Sequence, residues 1–289
     1  MRYPNGYMKG VFSTEQGLRR EKGFKRILGG YMKRSKPQVY ELHDSVYRDL
    51  RSKNLHHWLD KLNRVPPPGK DGIDLHDERF LCDVLAQDWA PKRGAAIELG
   101  CGTGPLLRWL SRRGFKGLGV DVSCTAVRMA REQSAHCRGL RFRRADVIRD
   151  SLGPLHGYDL ALDGHWLHCI TQPNDRRRAL SKVRSLLRKR GVFIVLSMCA
   201  PVLAKRFREI YPEQLLKNHI VYQSFDGAER YKGSLKLRGR AYAPLRYVGH
   251  WKSILREVRS AGFEPRLLRL NHAYADEVVG SLCVAAIAV

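Results

Sequence analysis

The chain has 289 residues, 43% apolar and 28% charged, with 26 glycines and 13 prolines. That balance excludes a disordered or collagen-like polymer and allows one large α/β domain with extensions, or roughly two domains. Lys and Arg number 53 against 28 Asp and Glu, a net charge of +25, so an anionic partner is admitted from the start.

The longest apolar stretches, Gly191 to Ala204 and Val278 to Val289, fall short of the roughly 18 to 20 residues needed to span a bilayer and read as buried strands. No hydrophobic segment follows the basic residues near the N-terminus, so no secretory signal is expected and a cytoplasmic location is. Seven cysteines, an odd number with no CxxC pair, read as free thiols and not as a disulfide framework or a zinc ribbon.

Residues 1–36 carry ten Lys or Arg against Glu15 and Glu21 without sustained periodicity, which predicts a flexible basic arm. Residues 37–75 predict a helical extension: Val39, Leu42, Val46, Leu50, Leu55, Trp58 and Leu62 recur at helical spacing until Val65-Pro-Pro-Pro-Gly69 breaks it. From residue 76 to 289 strands and helices alternate. An amphipathic run through Phe80, Val84 and Trp89 precedes the strand Ala95–Leu99, followed by a glycine turn and the helix Pro105–Arg113. Then come strand Gly117–Val122, helix Ser123–Ser134, and strands Leu140–Arg143 and Tyr158–Leu162. Helix Asn174–Lys189 and strand Val192–Met198 complete the series. This order predicts an α/β fold, a mostly parallel sheet wrapped by helices on both faces. Around 200–247 the alternation lapses. A basic helix Leu203–Leu216 and strand-like pieces at Val221–Phe225 and Ser234–Tyr242 are expected there as an insertion able to cover a site. Helix Trp251–Ala261 and strands Glu264–Leu270 and Ser281–Val289 close the domain.

The chemistry concentrates in Glu98-Leu-Gly-Cys-Gly-Thr-Gly104, between the first strand and its helix. Gly100, Gly102 and Gly104 let the backbone turn sharply and approach a ligand at the carboxyl end of the strand. Their spacing, every second position, is not that of a dinucleotide turn. Asp121, beside Val122 and about 20 residues past the first glycine, can accept from both ribose hydroxyls. Asp146, beside Val147, can accept from an adenine amino group, and Glu98 adds charge beside the turn. Three carboxylates repel a pyrophosphate but suit a ligand bearing an ammonium and a sulfonium.

This combination resembles the class I S-adenosylmethionine-dependent methyltransferases over roughly residues 76 to 289. The resemblance implies a Rossmann-like, seven-stranded sheet with an antiparallel last strand and S-adenosylmethionine as cofactor. It puts Glu98, Gly100, Cys101, Gly102 and Gly104 in the glycine motif, Asp121 and Val122 at the ribose, and Asp146 and Val147 at the adenine. Asp163-Gly-His-Trp-Leu-His-Cys-Ile170 matches the family's segment after the fourth strand. Asp163 then belongs to the cofactor site and His165 and His168 face the reactive end. Either histidine can serve as a base if the nucleophile must lose a proton; alternatively His168 is a packing residue and His165 a cofactor contact. No metal site is expected, since no further ligand cluster completes one. The segment after the fourth strand lacks the Asn/Asp-Pro-Pro-aromatic motif of amino-group methylation, and no Pro-Cys motif for pyrimidine carbon is present, which favours a small-molecule acceptor. A nucleic acid gripped by the basic surface and a non-catalytic adaptor are the alternatives.

Overall fold

The computed structural model describes residues 36–58, 60, 72–153, 155–200, 214–271 and 280–289. The basic arm to residue 35, the Pro-Pro-Pro break and most of the expected helix Leu203–Leu216 lie outside the described residues. All seven cysteines are free. Among the described residues no helix is long and apolar enough to cross a membrane.

The main sheet is built from β1 (Gly94–Leu99), β2 (Phe115–Asp121), β3 (Leu140–Arg144), β4 (Tyr158–Gly164), β5 (Leu187–Cys199), β10 (Phe263–Asn271) and β11 (Gly280–Ala288). Its spatial order is β10-β11-β5-β4-β1-β2-β3. β1 to β5 run parallel, and β11 is antiparallel to both neighbours. Six strands therefore share one direction and one opposes them, the α/β fold expected from the alternation. The apolar runs are continuous because both faces are covered. Along β5, Phe193 and Val195 enter the core on one side with α5 (Pro173–Leu186) and α6 (Trp251–Ser260). Val192, Ile194 and Leu196 enter the other, against α2 (Leu75–Ala86), α3 (Pro105–Ser111) and α4 (Cys124–Gln133). Each such fully buried side chain stabilises by about 1.5–3 kcal/mol. The helices start where side chains take over orphan amides: Asp74 accepts from His76 N, and Ser123 from Ala126 N.

Two expectations are corrected. Asn174–Lys189 is not one helix, because α5 ends at Leu186 and β5 begins at once. Leu187 pairs with Tyr158 and Arg188 Nε donates to Asp159 Oδ1 at 2.6 Å, drawing this stretch onto the sheet. The end of the expected helix Leu203–Leu216 falls on a strand, β6 (Gln214–Lys217), which pairs with β7 (Ile220–Gln223). With β8 (Leu235–Leu237) and β9 (Arg240–Tyr247) these form a second sheet, ordered β6-β7-β9-β8. Its hairpins turn at Asn218-His219 and Arg238-Gly239, all four at positive φ, the backbone of tight two-residue hairpin loops.

The N-terminal segment forms a 3-10 turn, Val39–Leu42, and α1 (His43–Ser52). Tyr47 and Leu50 of α1 pack on Ala126 and Met129 of α4. The turn Val39–Leu42 and β9 also pack together, so extension and insertion share one cover above the carboxyl ends of the central strands.

Candidate active site

The glycine turn hangs from β2: the amides of Gly100 and Cys101 donate to Val120 O at 2.8 and 3.1 Å. Gly100, Gly102 and Gly104 all lie at positive φ. At Gly102, φ +52, an added Cβ would stand 2.5 Å from Tyr47 Oη, so the turn and α1 touch where any side chain would collide. Cys101 is buried under the turn, its Sγ 3.7 Å from Gly102 O, and burial pushes its thiol well up.

Three buried acids meet here. Asp121 Oδ2 accepts from Gly102 N at 2.9 Å and Oδ1 from Ser123 N at 2.8 Å, joining turn, β2 and α4. Burial raises its pKa to about 6, with the two amides acting against the rise. Asp163 ends β4; its Oδ1 accepts from Trp166 N at 2.6 Å and Leu167 N at 2.8 Å, holding the turn that carries the histidines. Burial likewise raises Asp163 to about 6. Glu98 is buried and pushed well above the carboxylate range, first by desolvation, with Arg108 opposing. Glu98 Oε2 and Asp163 Oδ2 are buried without a hydrogen-bond partner among the described residues.

Asp146 stands apart at the end of β3, and its carboxylate is partly taken by the protein itself. Oδ1 accepts from Ile148 N at 2.9 Å, and Oδ2 from Tyr40 Oη at 2.9 Å. Val147 beside it is buried and Val122 half-buried. Asp44 of α1 accepts from Ser123 Oγ at 2.7 Å and Thr125 N at 3.0 Å. Burial works to raise its pKa, but these bonds hold it below the usual range.

His165, at φ +69, donates from Nε2 to Asp77 Oδ2 of α2 at 2.8 Å, and its ring meets that of His168 edge-on at 5.8 Å. His168 is buried, with Nδ1 3.5 Å from Met198 N; desolvation, then Arg246 of β9, keep it neutral. His43 of α1 is likewise held neutral by burial and by Arg246, whose Nη2 lies 3.1 Å from His43 Nε2. Thus Glu98, Gly100, Cys101, Gly102, Asp121, Asp163, His165 and His168 lie together around the carboxyl ends of β1, β2 and β4, with Gly104 opening α3 and Asp146 just beyond β3. Sequence reading missed Tyr40, His43, Tyr47, Asp77 and Arg246. The signal for three of them was the 40, 43, 47 spacing, a second stripe along the predicted helix beside its apolar one.

The residues present fit a ligand that brings positive charge and N–H donors. Buried acids whose protons are held by desolvation ionise when a cation arrives, and the orphaned Glu98 and Asp163 oxygens await donors. Among the described residues no group of three His, Cys, Asp or Glu could hold a metal ion.

Residues 97–193 match the family described as a methyltransferase domain. The ribosomal RNA small subunit methyltransferase C of Alcanivorax borkumensis is 33% identical over 104 residues, 35% of this chain and 31% of that protein. An uncharacterized methyltransferase of Mycobacterium bovis is 31% identical over 107 residues, 37% of this chain and 52% of that protein. The chain thus spans about a third to a half of these curated relatives. Among solved structures, the Burkholderia thailandensis 1,6-didemethyltoxoflavin-N1-methyltransferase superposes with a TM-score of 0.54 at 15% identity, covering 92% of this chain and 93% of that one. The structural likeness shows the fold, and the match to a methyltransferase domain covers about a third of the chain, from β1 into β5. Other structures of similar fold, among them one from Listeria monocytogenes at 16% identity and a TM-score of 0.52, are titled as S-adenosylmethionine-dependent methyltransferases.

Proposed function

We propose that this chain methylates a small molecule enclosed between the strand ends and the joint cover of α1 and β9. The observation carrying this reading is closure: Tyr47, His168 and Arg246 around the turn and the histidines are each at least nine-tenths buried, which suits a compact acceptor better than a base within a folded polymer. The Burkholderia protein, matched along nearly the whole chain, is named for a small-molecule acceptor and was solved with that compound and S-adenosylhomocysteine. The same reading divides the chain into arm (1–36), extension (37–75) and catalytic domain (76–289) with its insertion, and keeps it in the cytoplasm.

When bound, S-adenosylmethionine supplies an electrophilic methyl group on a sulfonium. Asp121 beside Val122 would take the ribose, and Asp146 beside Val147 the adenine side. Gly100, Cys101, Gly102 and Gly104 would give the backbone that approaches the amino-acid portion, with Glu98 and Asp163 receiving its ammonium. Methyl transfer is an in-line displacement, so rate comes largely from holding the nucleophile on line. His165, fixed by Asp77, is then the group that takes a proton from the nucleophile, and neutral His168 positions it. The test is transfer of label from cofactor carrying a tritiated methyl into cell extract fractionated into RNA, protein and small molecules. Label in the small-molecule fraction is expected; label confined to RNA or protein refutes the acceptor class.

One observation favours a second reading. A shallow groove of about 540 Å³ on α5 is lined by Ile148, Arg177, Arg178, Ser181, Lys182 and Ser185, and one relative is named for ribosomal RNA. RNA binding there would weaken steeply with salt; a flat salt response refutes it.

A further inference from the structure

Three arginines are buried near the site, and they differ in how their charge is met. Arg176 donates to Leu167 O and Ile170 O, is paired with Glu257 at 2.6 Å, and stacks on Tyr247. Arg108 donates to Thr103 O and faces Glu98. Arg246 on β9 is 6% exposed. It donates to its neighbour's carbonyl, Leu245 O, at 2.8 Å, and to His43 Nε2 at 3.1 Å, with no carboxylate within 4 Å among the described residues. Accepting at Nε2 leaves His43 neutral, so the contact orients the guanidinium without cancelling its charge. Around Arg246 stand His43, His168 and Cys169, and β9 packs on the Leu167–Cys169 turn. A buried, uncompensated guanidinium is costly to keep, and its flat fork matches a carboxylate in two parallel hydrogen bonds.

We propose that Arg246, braced by His43, is a carboxylate-recognition residue in the cover over the strand ends and that the acceptor presents a carboxylate to it. The proposal rests on the methyltransferase reading of the cavity. A second source of the same chemistry is the amino-acid carboxylate of the cofactor, and the test separates the two. Position favours the acceptor, since Arg246 belongs to the insertion and adjoins the histidines, whereas Tyr47 is the cover residue over the glycine turn.

The experiment uses the full chain as wild type, Arg246→Gln and Arg246→Lys. Calorimetry measures S-adenosylhomocysteine and 5′-methylthioadenosine, which lacks the carboxylate. With S-adenosylhomocysteine saturating, benzoate and 4-hydroxybenzoate are compared with their carboxamides. For an acceptor carboxylate, wild type prefers the acids by about tenfold or more. Arg246→Gln abolishes that preference with S-adenosylhomocysteine affinity unchanged, and Arg246→Lys keeps part of it. For the cofactor's carboxylate, Arg246→Gln weakens S-adenosylhomocysteine about tenfold, leaves methylthioadenosine unchanged, and sinks the acceptor assignment while keeping the carboxylate role. Equal binding of acids and amides by wild type, no binding of either, or no effect of Arg246→Gln on any ligand overturns the proposal. Should Arg246→Gln fail to fold, wild type and Arg246→Lys still carry the acid-to-amide comparison. If wild type ignores S-adenosylhomocysteine, the methyltransferase reading fails, and the acid-to-amide preference is still read on the free protein.

Discussion

Replacing Gly102 with alanine tests whether the glycine turn is pressed from above by α1. Two costs add. The first is conformational: φ is +52, and a Cβ in the left-handed region costs about 1–2 kcal/mol. The second is contact: the new Cβ would lie 2.5 Å from Tyr47 Oη but 3.4 Å from Cζ, so the hydroxyl is the obstacle and the ring barely one. Moving Tyr47 aside disturbs its packing with Leu50, Ala126 and Met129, another roughly 1–3 kcal/mol by analogy with overpacked cores. We expect Gly102→Ala to lose about 2–4 kcal/mol in urea unfolding. Tyr47→Phe in the Gly102→Ala background should return the contact part, a coupling of about 1 kcal/mol or more in a double-mutant cycle. Calorimetry with S-adenosylhomocysteine should show the same partial rescue. Additive effects in both measurements would refute a turn held under Tyr47.

Four further outcomes are expected. Asp163, raised to about 6, must ionise to receive the ligand's ammonium, so S-adenosylhomocysteine affinity should climb about tenfold between pH 5 and 7; a flat calorimetric profile refutes this. The same rise, shared by Asp121, acts on stability in the opposite sense. Folded pKa values above the usual 3.8 give a contribution complete below about pH 4 and lost as pH rises through about 6, on the order of 3 kcal/mol per group. Asp121→Asn should therefore flatten the stability profile in that window, read by urea unfolding at each pH. Asp163→Ala orphans the amides of Trp166 and Leu167 and should cost about 2–4 kcal/mol, lowering Tm, with Asp163→Asn losing less because an acceptor remains. Tyr40→Phe deletes the hydroxyl on Asp146 and should cost about 1.5–3 kcal/mol while speeding hydrogen exchange in residues 39–52; unchanged exchange would mean that this bond does not hold the extension.

The sheet was legible because its strands are buried on both faces and bounded by glycine turns, so a continuous apolar run such as Phe193–Leu196 has one reading. The strand-end acids were legible for a topological reason: in an open parallel sheet the carboxyl ends point to one cleft wherever the chain has wandered. The insertion was harder. Its strands are short, and the clues that define them, Asn218 and Gly239 in hairpin turns, look like ordinary loop residues until both flanks are seen to pair. Arg246 was hidden among 53 basic residues, since charge in a sequence does not tell a solvated cation from a buried one. Asp77 carried no signal in the sequence; only the positive-φ corner at His165 brings the imidazole to it.

Asp175, almost fully buried on α5, receives Gln38 Nε2 at 2.8 Å from the N-terminal segment and Lys232 Nζ at 2.7 Å from the insertion. These contacts span 137 and 57 positions, and His43 with Arg246 spans 203. The entropic cost of closing such loops grows only slowly with their length. One buried carboxylate on α5 is thus the keystone that the N-terminal segment and the insertion share, so the two halves of the cover over the strand ends are fastened to the sheet's own layer at a common point.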